Sequence, residues 1–238
     1  MSDGSFPPWL TILSGASIAL AVACGLVVVV DVIRRPQPMP VMAFVWPLTM
    51  LFGSLVWLTF YWRHGRGPAP GDEPSMAERP MPEAVAVGTS HCGAGCALGD
   101  LVGEFALVAV PAAAAVFGLG WLFDERIFAA WVLDFVLAYL FGIVFQYFSI
   151  APMRNLTMRQ GIWAAVKADT FSITAWQVGM YGLMAVGQFL VLPALFARRA
   201  DPLTLEFWFM MQLAMVAGFA TAYPVNWLLI RRGLKEKM

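Results

Sequence analysis

Charge is what this sequence has least of. Asp, Glu, Lys and Arg make up 13% of its 238 residues, against about 25% in an ordinary soluble domain. The 15 basic and 15 acidic side chains cancel. No basic domain exists to hold a nucleic acid, and that class of partner is excluded. Cysteine is scarce too. Cys24, Cys92 and Cys96 are the only three, and three scattered thiols are not a disulfide framework. His64 and His91 are the only histidines. Cys-x-x-Cys-His does not occur, which excludes a covalent c-type haem. P-loop, dinucleotide fingerprint, Gly-x-Ser-x-Gly and His-Glu-x-x-His are all missing, so no nucleotide cofactor is expected and no enzyme class is marked. Residues 1–8 carry no Lys or Arg, so the first apolar run reads as a retained membrane helix rather than a signal peptide.

What the chain does have is apolar surface. Hydrophobic residues make up 60% of it, and the mean hydropathy is +0.72. About 20 apolar residues in a helix cross a bilayer. Residues 9–33, 41–62, 97–123, 127–150, 168–196 and 205–230 meet that length. The runs are apolar all round rather than alternating, which argues against a membrane β-barrel. The expected fold is all-α, a polytopic membrane bundle of about six transmembrane helices. Between the second and third runs lies a polar, proline-rich segment. It divides the chain into a two-helix unit (1–62), a flexible linker (63–90) and a four-helix domain (91–238).

Orientation is pulled two ways. With six crossings, the termini, the linker and the 151–167 connection share one side, which holds ten Lys/Arg against five on the other. The positive-inside rule then makes both termini cytoplasmic. The first run argues the reverse, because Arg34 and Arg35 follow it and nothing basic precedes it.

Chemistry concentrates in residues 90–104, where His91, Cys92, Cys96, Asp100 and Glu104 fall within four turns of helix. Residues four apart are neighbours on a helix, but each step overshoots a turn by about 40°. The four residues from Cys92 to Glu104 therefore trace a drifting stripe. Gly93, Gly95 and Gly99 predict a glycine-rich turn at the membrane surface, with the helix starting near Ala97. Such a turn would bring His91, Cys92 and Cys96 together. Carboxylates beside thiols disfavour thiolate, so the set makes most sense around a cation. Soft thiolates with imidazole select copper(I) or zinc, and His91, Cys92, Cys96, Asp100 and Glu104 are the candidate metal ligands. Small cysteines used for close helix packing explain the same residues without a ligand.

Other polar groups lie within apolar runs: Asp134, Asp169, Ser172, Gln177, Gln188 and Asn226. Intramembrane carboxylates are costly and mark ion or proton routes, which singles out Asp134 and Asp169. Among 14 methionines, Met39 and Met42 flank Pro40 at a run boundary and are the thioethers best placed to bind copper(I).

Residues 31–40 (DVIRRPQPMP), 90–100 (SHCGAGCALGD), 145–154 (FQYFSIAPMR) and 223–238 (YPVNWLLIRRGLKEKM) resemble a bacterial membrane family catalogued as a domain of unknown function, number 4396. The Ser-His-Cys-Gly-x-Gly-Cys block is its most specific mark. The resemblance implies a multi-span protein of the bacterial inner membrane and brings no activity with it.

Three functions follow from the residues. The leading expectation is binding or transport of a soft metal ion, copper(I) before zinc. A membrane thiol oxidoreductase and a non-catalytic assembly subunit are the alternatives. The expected partners are the lipid bilayer, a metal ion and another membrane protein.

Overall fold

The computed structural model describes residues 5–69, 79–154 and 157–237. Residues 70–78, the centre of the expected linker, lie outside the described residues. The described chain is all-α and contains no strand. Its helices are α1 (Pro8–Arg34), α2 (Met42–Phe60, continued by a π turn Tyr61–Gly65), α3 (Met81–Ala109), α4 (Arg126–Arg154), α5 (Met158–Val186), α6 (Leu192–Phe196) and α7 (Leu205–Arg231). A π turn, Gly187–Val191, joins α5 to α6, so the two form one long rod. Among the described residues, six helices are long and apolar enough to cross a membrane.

Helix α3 is the centre of the bundle and packs on α2, α4, α5 and α7. In its most apolar window 61% of residues are buried, against 28–39% for the other five candidate spans. That inverts the usual logic of hydropathy. Residues 84–96 are mostly Ala, Val, Gly, Ser, Thr and Cys, too small and polar to stand out as a span. All but Ala86 are buried in protein, so they need not be greasy. The third run, expected at 97–123, is therefore displaced to Met81–Ala109. Residues 81–90, expected in the linker, are helical. The helix stops where Pro111 cannot continue it, and Val110 turns out of helical geometry at φ −131° and ψ 74°.

The expected glycine turn does not form either, because the helix runs unbroken through Gly93, Gly95 and Gly99. Those glycines let α4 approach. A Cβ on Gly99 would stand 2.6 Å from the Ala138 nitrogen, and one on Gly95 would stand 3.1 Å from the Gly142 nitrogen. Backbone-to-backbone packing of this kind offsets the entropic cost of glycine in a helix.

Helix α2 is long enough to span but does not run straight. Its backbone breaks at Ser54 (φ 44°, ψ −127°), a conformation costly for a residue with a side chain. Beyond the break the helix returns alongside itself. Trp46 meets Tyr61 with ring centroids 5.5 Å apart, whereas fifteen residues of straight helix would separate them by about 22 Å. Gly67 lies beside the Arg35 and Pro36 carbonyls, and Arg66 pairs with Asp31 at 2.7 Å. The unit is a helical hairpin that enters and leaves at one end of the bundle. Irregular backbone at depth is tolerated only where protein satisfies it. Here Gln212 Nε2 donates to the Leu51 carbonyl at 2.7 Å, and Trp57 Nε1 donates to Ser90 Oγ at 3.0 Å.

The hairpin changes the topology. The start of α1 lies at the end of the bundle where α6 meets α7: Phe6 packs on Phe196, and the Thr11 hydroxyl donates to Glu206. The C-terminal segment lies at the opposite end, where Tyr223 reaches the Pro82 carbonyl at 3.2 Å. The termini, expected on one side, are therefore at opposite ends. Arg34 and Arg35 now join the linker side, which holds twelve of the 15 Lys/Arg. The conflict in the charge pattern disappears.

This topology is testable by labelling. In oriented vesicles, Ser5→Cys and Arg232→Cys should react with a membrane-impermeant maleimide from opposite faces. Reaction of both from one face would restore six crossings.

Candidate functional site

The stripe on α3 is real and fully enclosed. Cys92, Cys96, Asp100 and Glu104 are each at most 1% exposed. They descend the helix a turn at a time through the middle of the bundle. The drift of about 40° per step gives each a different set of neighbours.

At the linker end, Cys92 sits in a knot of four elements. Lys235 Nζ donates to Cys92 Sγ at 2.8 Å and to Asp169 Oδ1 at 3.1 Å. The thiol faces the same carboxylate oxygen at 3.2 Å, and Ser172 Oγ donates to the sulfur at 2.9 Å. Asn226 Nδ2 in turn donates to Ser172 Oγ at 2.8 Å. A relay thus runs from α7 through α5 to the thiol on α3. The side chains of Lys235 and Asp169 have no solvent exposure. A buried pair of this kind persists only with close geometry and further hydrogen bonds, and the knot supplies both. Burial works against the Lys235 charge, but Cys92 and Asp169 outweigh it and hold the ammonium above lysine's ordinary pKa.

His91 does not join this knot. One residue along a helix is a turn of about 100°, and His91 faces α4, where Nε2 meets Ser149 Oγ at 2.9 Å. Its Nδ1 has no hydrogen-bond partner among the described residues. Cys96 packs in the apolar core that includes Trp176, Ile173 and Met180. The expected three-residue unit of His91, Cys92 and Cys96 is therefore split between two faces and two depths. Among the described residues, no group of three or more His, Cys, Asp or Glu side chains is arranged to hold a metal ion.

The lower half of the stripe is acidic. Asp100 and Asp134 have no partner for either carboxyl oxygen among the described residues. Asp134 from α4 is seated against the α3 backbone at Gly103, where a Cβ would collide with its oxygen. Asp100 and Glu104 lie within electrostatic reach of Asp134, and so does Tyr181 on α5, whose hydroxyl donates to the Trp131 carbonyl at 2.9 Å. The nearest cation is Arg126, whose Nη1 is 3.8 Å from Glu104 Oε2. Three buried carboxyls thus share one partly exposed guanidinium.

Asp134, Asp169, Ser172 and Asn226 were legible as intramembrane polar groups. Lys235 was not, because in the sequence it belongs to a basic tail of the kind that usually sits in water. Met39 and Met42 pack with the α1–α2 apolar cluster, which includes Cys24, and not with the cluster that holds Cys92 and Cys96.

The ion pair makes a quantitative prediction. Lys235→Met leaves Asp169 buried without its counter-charge and should cost about 3–5 kcal/mol. Adding Asp169→Leu should recover part of that loss. Unfolding in mixed detergents measures both, and a double variant as unstable as the two single losses added would mean no coupling. Because the folded pKa of Lys235 is raised, its contribution is complete below lysine's ordinary value and is lost only as pH climbs through the raised one.

Residues 83–235 match the family described as a domain of unknown function (DUF4396). No curated protein and no solved structure matches the chain. The matched region contains α3 from Glu83 onward, Asp134, Asp169 and Lys235, and covers well over half of the sequence. The chain therefore belongs to the DUF4396 family.

Proposed function

We propose that this protein binds a soft cation at Cys92 and Cys96 and passes it along α3, with copper(I) as the cargo. The observation that carries the reading is the stripe itself. Four cation ligands at four-residue spacing, soft at one end and hard at the other, are buried on a single unbroken helix. Copper(I) accepts two thiolates in a line, whereas zinc asks for four donors in a closed shell. The copper reading therefore needs less of this site than the zinc reading does. Capture forms two S–Cu bonds and releases the two thiol protons. The bis-thiolate copper(I) unit carries one negative charge, and the Lys235 ammonium beside Cys92 Sγ is the cation that would answer it. His91, held by Ser149, takes no part in that first step. Asp100, Glu104 and Asp134 are poor ligands for copper(I), which suits groups that must let a cargo go.

Two further features support movement rather than storage. The broken hairpin of α2 is the form that membrane transporters and channels use beside a pathway. The twelve basic residues at the linker end favour the cytoplasmic side of a bacterial inner membrane for that end, with Cys92 and Lys235. The N-terminus is then on the outer side.

Titration of the purified protein with copper(I) in an anaerobic competition assay tests the reading. The expected result is one ion per chain, lost in Cys92→Ser/Cys96→Ser and retained in His91→Ala. Undiminished binding by the double variant sinks it.

One observation favours a second reading, thiol chemistry. An ammonium 2.8 Å from Cys92 Sγ is the neighbour that stabilises a thiolate. On that reading Lys235→Met slows alkylation of Cys92 at least tenfold in folded protein. Equal rates in wild type and variant would dismiss it.

A further inference from the structure

Past α7 the chain turns back on itself. Arg232 closes the helix, and Gly233 takes the left-handed conformation at φ 67°. The Leu234 N–H donates to the Leu229 carbonyl and the Gly233 N–H to the Ile230 carbonyl, each at 3.0 Å. This pair of hydrogen bonds across a left-handed glycine is the Schellman stop, which reverses the chain against the last turn of its own helix. The reversal inverts the expected burial. Leu234 is 46% exposed, while Lys235 is 3% exposed. Of residues 232–237, Lys235 alone is buried.

The lysine stem fills a column between helices. A Cβ on Gly88 would stand 3.8 Å from Lys235 Cε. The ammonium lies a turn deeper along α3, at Cys92 Sγ, where it also meets Asp169 Oδ1 on α5. Gly88 is closer than Cys92 to the linker end of α3. The side chain therefore enters from that end, and its tip reaches the thiol. Cys92 itself has no exposure, so anything arriving from the linker side needs this column clear.

We infer that the C-terminal segment is a latch on the entrance to Cys92, with Gly233 as its hinge and Lys235 as its bolt. Withdrawal of the segment opens the column to the linker end, and its return closes it. Asp169 holds the bolt in place, because withdrawal strips that buried carboxylate of its cation. The closed form is the resting one, and the open form is a minor state reached by local opening. On the copper reading, withdrawal admits the ion and return brings the ammonium back beside the thiolates. The inference goes beyond that reading, since it concerns access to the thiol rather than what the thiol binds.

The test uses the full chain in detergent and two reagents, each followed by peptide mass. Methylmercury chloride adds to thiols fast, so its rate at Cys92 reports access. Acetic anhydride reports exposure of the Lys235 amine. A Cβ on Gly233 would meet nothing within 4 Å, so substitution there acts on the backbone alone. Gly233→Val strains the left-handed conformation and should raise both rates about tenfold. Gly233→Asn tolerates that conformation and should leave both near wild type. Cys24, buried in the α1–α2 cluster, should keep its wild-type rate in both variants. Wild-type labelling of Cys92 in Gly233→Val overturns the inference, whether or not Lys235 is acetylated faster. So does a rise at Cys24 equal to that at Cys92, which would mean that the thiol is reached by general loosening. Neither rate involves copper, so a failed copper titration leaves this result standing.

Discussion

The contact on which this bundle depends is backbone against backbone. Helix α4 lies directly on α3 because Gly95, Gly99 and Gly103 face it where side chains would otherwise stand. In a membrane there is little hydrophobic gain in bringing two helices together, since lipid is as apolar as leucine. Close van der Waals contact has to supply the attraction, and small residues permit it. The approach also fixes the chemistry. It seats Asp134 against the helix that carries Asp100 and Glu104, and it puts Gly142 beside Asp169.

Around that contact the polar groups divide into two regions of opposite character. At the linker end thiol, carboxylate, ammonium, hydroxyl and amide form one connected set, with only the second oxygen of Asp169 left over in that knot. Further down, the carboxyls outnumber their partners. The first region is held in place by its own contacts; the second is not. A membrane protein keeps unanswered acids at depth only when something makes use of them. The family to which the chain belongs brings no chemistry of its own; this contrast and the helical hairpin beside it are what mark the region out.

Much of the architecture was legible from residue types. Five of the six long helices lie where the apolar runs are, because those helices face lipid and must be greasy. The third was misplaced for a physical reason. Its first half is surrounded by protein, so its residues are small rather than hydrophobic, and hydropathy is blind to them. The candidate stripe was legible from spacing, as were Asp134, Asp169 and Asn226 from their rarity in apolar runs. The convergence of His91 with Cys92 was not correct. Glycines were read as breaking the helix, when in fact they bring another helix closer.

Composition and periodicity by themselves determined that this is a helical membrane protein with one chemically loaded helix, because burial in lipid constrains every residue of a span separately. Three matters were decided only in tertiary structure. The fold-back of α2 depends on Trp46 meeting Tyr61 and on Asp31 meeting Arg66, contacts between residues that no local pattern relates. The partner of Cys92 is a lysine 143 positions away, drawn inward because Asp169 needs its charge. The cavity between α1, α2, α3 and α7 has the tip of the broken hairpin, Leu51 and Phe52, as one wall. Each is an interaction across the bundle, and such interactions are set by how helices pack rather than by what any one of them contains.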